Sequence, residues 1–326
     1  MLDHYGRDIN YMRISVTDRC NFHCRFCMPD ETLGYQEQEK MLSFVEMTKV
    51  VQAVMPLGIH RFRITGGEPL LRAGVVEFIE TLKQLDSRNK VFLTTNGYYL
   101  EKNLSRLKQA GLDGVNVSLS SMDPKEYEKI TGANALDVVL KGILATVKME
   151  IPVKINCVTI PNWNESQLIK IASLAKEYPI DVRFIEMMPI GQGSNFDLLT
   201  GAKVLERLEE SLGTSEMIHD SKGNGPAKYV KFQGFQGDIG FINATSCGFC
   251  NECNRIRLTA DGWVKLCLNY DQGFNILEDL RNNMEQNQLS EKIKKAICEK
   301  PKQHNFTNKE KASQCTNTRF MSQIGG

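Results

Sequence analysis

Short apolar runs alternate with longer stretches in which apolar residues return every three or four positions, over roughly the first two thirds of the chain. Residues 13–16 read as a first strand. Ser43 opens an amphipathic helix with Val50, Val51, Val54 and Leu57 on one face, and Glu46, three residues on, completes a capping box. The alternation continues with strand 62–65 and helix 75–85, then strand 91–94 and helix 101–110. Strand 114–118 leads to helices reaching about residue 149. Strand 153–158 leads to helix 166–176, and strand 181–186 completes the run. Strands alternating with helices of this length predict βαβ units, an α/β class and a parallel sheet with right-handed crossovers. Six units fall short of the eight that close a barrel.

The rhythm breaks after residue 212. Residues 213–228, GTSEMIHDSKGNGPAK, are polar and Gly-rich and read as a linker or long loop. Short strand-like runs follow at 228–232, 238–242 and 256–259. Residues 30–40 form a polar loop, and residues 301–326 read as an extended tail ending in Gly325-Gly326. The length of 326 residues fits two domains, here 1–212 and 213–326.

Charge changes the picture mainly by exclusion. Lys plus Arg is 40 and Asp plus Glu is 39, so a broad electrostatic nucleic-acid surface is not expected. No apolar stretch is long enough to span a membrane, and the first residues carry acids and no apolar h-region. A cytoplasmic protein without a membrane partner is expected.

The ten cysteines are grouped. Cys20, Cys24 and Cys27 follow the first strand with C-x3-C-x2-C spacing, and Cys247, Cys250, Cys253 and Cys267 form a second set. In a cytosolic chain such clusters read as metal or cluster ligands rather than disulfides. Three thiolates hold a [4Fe–4S] cluster by three irons and leave the fourth open for a small molecule. A structural zinc site with His23 as fourth ligand is the plainer alternative, although the asymmetric three-then-two spacing fits it poorly. On spacing alone the second set could be a closed four-thiolate site or a three-thiolate one. Cys157, Cys298 and Cys315 read as apolar fillers or bystanders.

The cysteine triplet after one strand and Gly66-Gly67-Glu68-Pro69 after the next together resemble the radical S-adenosylmethionine (SAM) superfamily. The resemblance narrows to the molybdenum-cofactor biosynthesis protein A family, the GTP 3′,8-cyclases. It is carried in order by RISVTDRCNFHCRFCMP, RFRITGGEPLLR, LTTNG, VNVSL, FIEMMP, FCNECNRIRLTADG and the Gly-Gly terminus. It implies a partial (β/α)6 radical SAM barrel, with a C-terminal extension that carries a second Fe–S cluster and closes the barrel.

The same resemblance assigns residues. Cys20, Cys24 and Cys27 would hold the cluster that binds SAM. Cys250, Cys253 and Cys267 would hold a second [4Fe–4S] cluster whose open iron takes the guanine of GTP, and Cys247 is not needed. Phe26, Gly67, Glu68, Ser118 and Met188 resemble SAM contacts, Phe26 standing where the family usually has Tyr. Arg13, Arg63, Thr94, Lys154, Arg255, Ile256 and Arg257 match GTP contacts. Arg255 and Arg257, two apart on a strand-like run, face one side. A polyanionic triphosphate needs such cations from several elements. At Gly67 a missing side chain would let SAM approach the backbone.

The implied reaction starts with SAM cleavage to a 5′-deoxyadenosyl radical. That radical removes the 3′ hydrogen of GTP, and attack on C8 gives the cyclised nucleotide. The family's small Gly-Gly tail threads toward its active site. Also implied are an electron donor such as a flavodoxin or ferredoxin, a downstream cyclic pyranopterin monophosphate synthase and a homodimer. Two rival readings are a two-cluster radical SAM peptide or sulfatase maturase, and a non-catalytic Fe–S or zinc sensor. GTP binding separates the cyclase from the first, and SAM binding separates the enzymes from the second.

Overall fold

The computed structural model describes residues 1–28, 35–219, 222–306 and 319–325. Six strands begin it: β1 (Tyr11–Ser15), β2 (Arg61–Thr65), β3 (Lys90–Thr95), β4 (Gly114–Ser118), β5 (Val153–Thr159) and β6 (Asp181–Glu186). Between them run α1 (Phe44–Val54), α2 (Val75–Leu85), α3 (Leu100–Gln109), the pair α4 (Pro124–Thr131) and α5 (Leu136–Lys148), and α6 (Leu168–Glu177). The capping box forms as expected: Glu46 N–H donates to Ser43 Oγ at 3.2 Å, and Ser43 N–H donates to the Glu46 carboxylate at 2.6 Å. The helix stops at Val54 because Pro56 has no N–H to continue it. Leu57, expected on its apolar face, therefore sits half-buried in the following 3-10 turn, which Gly58 closes at φ 87°.

Beyond α7 (Gly201–Leu212) come β7 (Ser215–Ile218), β8 (Lys228–Phe232), β9 (Ile239–Ile242), β10 (Arg255–Leu258), β11 (Trp263–Lys265) and β12 (Gly273–Asn275). Helices α8 (Leu277–Arg281), α9 (Gln286–Cys298) and the short α10 (Met321–Ile324) complete the chain. All strands belong to one sheet, in the order β12-β11-β10-β1-β2-β3-β4-β5-β6-β9-β8-β7. It is parallel from β10 through β9. The C-terminal region thus extends both edges of the six-stranded half.

The segment read as a linker is not one throughout. Its residues 215–218 form β7, paired antiparallel with β8, because an available strand edge outweighs polar composition. The tail is not extended throughout either: Ile324 is buried with Ile190 and Phe306, which folds residues 321–324 into a helical turn. Cys315 and Gly326 lie outside the described residues. Among the described residues no single helix is long and apolar enough to cross a membrane.

The strand period of two divides the sheet into two faces. In β5, Val153, Ile155 and Cys157 are buried under the helices, while Lys154, Asn156 and Val158 face the lumen. The outer face joins α1–α6 in one continuous core. The lumen face mixes charged and polar side chains with apolar ones and leaves room for a ligand.

Candidate active site

The lumen holds a cavity of about 390 Å³. Cys20, Cys24 and Cys27 line it, and so do Cys250, Cys253 and Cys267, although some 220 to 250 residues separate the two groups. Both groups face one ligand space.

The first cysteine loop is held by backbone. His23 N–H and Arg25 N–H donate to the carbonyls of Thr131 and Ile130 at the end of α4, at 2.9 and 3.0 Å. Cys27 N–H donates back to Cys24 O at 2.9 Å. On the other side Gly67 N–H donates to Thr17 O at 2.7 Å and Glu68 N–H to Arg19 O at 2.8 Å. The Cys20 sulfur accepts from Phe22 N–H at 3.4 Å and Asn96 Nδ2 at 3.8 Å. Burial pushes the Cys20 thiol up to about 11 and the Cys27 thiol up to about 12. Burial, helped by Cys27 and Cys20, raises Cys24 well above its ordinary value. Three crowded, half-buried thiols that resist ionisation are a donor set whose charge a bound cationic cluster would offset.

The second group sits in a more basic setting. Burial raises Cys250, and burial would raise Cys253 too, but Lys300, Arg255 and Arg7 outweigh it and lower that thiol. Arg7, ion-paired with Asp3 at 2.6 Å, donates to Cys250 O at 3.0 Å. His304 N–H donates to Cys250 Sγ at 3.4 Å. Glu186, at the end of β6, ties this loop to the barrel. Its carboxylate accepts from Thr245 N–H and Ser246 N–H at 2.9 Å, Ser246 Oγ at 2.5 Å and Gly201 N–H at 3.1 Å. Cys247 is exposed and does not line the cavity.

The cations come from adjacent strands. Arg13 pairs in register with Arg63 on one side and Arg257 on the other, and Tyr11 stands opposite Arg61 and Arg255. All six line the cavity. Arg63 donates to Tyr11 Oη at 2.5 Å and to Thr94 Oγ1 at 3.4 Å. Burial, then Arg257, drives Arg13 well below the guanidinium range. Arg257 falls to about 10 through burial and then Arg255. Burial alone would raise the Tyr11 phenol, yet Arg63, Arg13 and Arg255 reverse this and lower it. Like charges side by side destabilise a sheet, and a polyanion is the ligand that relieves them. Arg257 Nη1 also donates to Gly325 O at 2.7 Å, which places the chain's C-terminal turn in the lumen beside Thr65 and Ser15. Lys154 pairs with Asp181 at 2.9 Å and Tyr229 Oη at 3.1 Å.

Phe26, Gly67, Ser118 and Met188 line the cavity, as do Thr94 and Lys154; two expected contacts do not. Glu68 is fully buried behind it, its carboxylate accepting from Thr95 Oγ1 (2.8 Å), Asn96 N–H (2.7 Å) and Leu70 N–H (3.0 Å). Ile256 points to the core side of β10, because the alternation that turns Arg255 and Arg257 inward turns it outward. The reason for Gly67 also differs: a Cβ there would stand 2.3 Å from Arg19 O, so the cluster loop's backbone excludes a side chain before any ligand does. His23 is exposed, and among the described residues no three His, Cys, Asp or Glu side chains converge on a single-ion site. Cys157 is buried in the core and Cys298 is exposed.

Sequence reasoning missed Arg183, Asn116, Asn156, Tyr229 and residues 222–227, all of which line the cavity. For the strand residues a signal existed: polar side chains at alternate positions of strands whose intervening positions are apolar. Arg183 is buried, and its Nε and Nη2 have no hydrogen-bond partner among the described residues.

A family model of the radical SAM superfamily matches residues 14–175, and one named Molybdenum Cofactor Synthesis C matches residues 180–306. A GTP 3′,8-cyclase of Clostridium perfringens (strain 13 / Type A) is 40% identical over 329 residues, covering all of both chains. A GTP 3′,8-cyclase of Alkaliphilus oremlandii is 40% identical over 330 residues with the same coverage. Among solved structures, Streptococcus suis SuiB bound to S-adenosylmethionine superposes with a TM-score of 0.64 at 13% identity, over 86% of this chain and 67% of that one. The structure of anSMEcpe with bound AdoMet superposes with a TM-score of 0.55 at 17% identity, over 88% and 83%. These two likenesses establish the shared fold.

Proposed function

The chain belongs to the GTP 3′,8-cyclase family of radical SAM enzymes, and from that premise we propose how its residues divide the work. The protein converts GTP to (8S)-3′,8-cyclo-7,8-dihydroguanosine 5′-triphosphate, an early step of molybdenum cofactor biosynthesis. Its cofactors are SAM and two [4Fe–4S] clusters. The observation that carries the reading is the single cavity faced by two cysteine triplets with arginines between them.

Cys20, Cys24 and Cys27 hold the first cluster, and Cys250, Cys253 and Cys267 the second. Phe26, Gly67, Ser118 and Met188 surround SAM, while Glu68 acts from behind by fixing Asn96 and the turn after Gly67. Bound together and reduced, the first cluster and SAM supply the radical that removes the 3′ hydrogen of GTP. Arg13, Arg63, Arg183, Arg255, Arg257, Lys154 and Thr94 orient the nucleotide, so that a single hydrogen faces the reacting carbon. Phe26, Ile130, Ile160 and Met187 form an apolar patch that keeps water from the SAM side. The C-terminal turn, held by Arg257, completes the lumen wall.

The reading also includes a functional boundary at 212/213, a cytoplasmic location, a homodimer, an electron donor such as a flavodoxin or ferredoxin, and a cyclic pyranopterin monophosphate synthase that consumes the product. The test uses GTP deuterated at the 3′ carbon with reduced, anaerobically reconstituted enzyme. Deuterium appearing in 5′-deoxyadenosine is the expected result. Unlabelled 5′-deoxyadenosine with no GTP bound refutes the cyclase assignment.

A further inference from the structure

Between β7 and β8, the six consecutive residues 222–227 all line the cavity. The segment is glycine-rich, with Gly223 at φ 95°. It reaches across to the opposite half of the sheet. Asn224 Nδ2 donates to Asn10 Oδ1 at 2.8 Å, and Asn254 Nδ2 donates to Asn224 O at 3.2 Å, just ahead of β1 and β10. The loop therefore spans the side of the lumen that no strand pair covers among the described residues.

At the start of this loop Lys222 Nζ donates to Asp181 Oδ1 at 2.6 Å and to Asp238. Neither carboxylate depends on Lys222 alone. The other oxygen of Asp181 takes Lys154 at 2.9 Å, and the other oxygen of Asp238 takes Lys231 at 3.1 Å. Lys154 and Lys222 both lie against the Tyr229 ring, at 5.1 and 5.8 Å. Two residues beyond Asp181, Arg183 is more than nine-tenths buried and lines the same cavity with Nε and Nη2 unpartnered among the described residues. The cations outnumber the carboxylates here, and a ligand carrying several negative charges would complete the set.

We propose that residues 222–227 cover the phosphate chain of the substrate and that Lys222 is a triphosphate ligand held ready on Asp181 and Asp238. The inference rests on the GTP reading and extends it. Lys222 reaches a phosphate by rotating a flexible four-carbon stem, and its departure leaves both carboxylates paired. A merely structural Lys222 would staple the loop and would matter equally to every ligand of the cavity.

The test compares GTP with guanosine, by calorimetry on the full-length, anaerobically reconstituted wild type, Lys222→Gln and Lys222→Arg. Lys222→Gln should weaken GTP binding by about 10-fold or more while leaving guanosine within about twofold, and Lys222→Arg should restore most of the loss. Equal weakening of both ligands, or unchanged GTP affinity, overturns the proposal. A wild type that binds no GTP at all refutes the underlying reading instead. A second measurement needs no variant: inorganic triphosphate should protect the Lys222 amine of the wild type from acetylation, as read by mass spectrometry. Unchanged acetylation of Lys222 overturns the proposal.

Discussion

Replacing Gly67 by Ala tests the contact between the GGEP turn and the first cysteine loop. The added Cβ would lie 2.3 Å from Arg19 O, 2.6 Å from Arg19 C and 2.8 Å from Asp18 O, where ordinary contact begins at 3.4 Å. The obstacles are backbone atoms, so no side-chain rotation removes them, and the segment just before Cys20 must move by about 1 Å. Two hydrogen bonds oppose that movement, Gly67 N–H to Thr17 O at 2.7 Å and Glu68 N–H to Arg19 O at 2.8 Å. Losing both costs about 2 kcal/mol, and overpacking adds about 1–3 kcal/mol. The strain falls next to one ligand of the first cluster and far from the second. Iron and sulfide content after anaerobic reconstitution should drop to about half that of wild type, and the melting temperature of the apoprotein should fall. A Gly67→Ala protein with a full iron complement, wild-type SAM affinity and an unshifted melting temperature would refute the steric argument.

Other outcomes follow from buried polar groups. Burial pushes the Glu68 carboxyl up to about 7 from 4.5, against three hydrogen bonds that lower it. Its folded value is the higher one, so its stabilising effect is complete below about pH 4.5 and is lost as pH rises through about 7. The apoprotein should lose about 3 kcal/mol relative to Glu68→Gln between those limits in denaturant titrations, and a pH-independent difference would sink this account. Glu186→Gln should weaken the tether of the second cysteine loop by about 2 kcal/mol, seen as faster iron release to a chelator from that cluster; release at the wild-type rate would count against it. Arg183→Met removes a buried guanidinium with two nitrogens unpartnered among the described residues. The apoprotein should melt higher by a few degrees while GTP binding weakens; a lower melting temperature would show that the arginine is structural.

The chain's own order of residues determined a great deal. The βαβ rhythm, the Ser43–Glu46 capping box and all six strands of the first half lie where local pattern places them, because period and capping are properties of neighbouring residues. Cysteine spacing and the GGEP turn, read by resemblance, pointed to the chemistry before any geometry was known. Alternation alone turned Arg255 and Arg257 to one side, and the same rule removes Ile256 from that side. Tertiary structure decided what depends on distant partners. It brought the two cysteine triplets to one cavity, made β7 out of a polar segment by giving it the edge of β8, and folded the tail's end back onto Arg257. It also withdrew Glu68 behind the site and set residues 222–227 across the lumen. Each of these depends on a pairing or a packing surface supplied by residues distant in sequence, whose position no local period encodes.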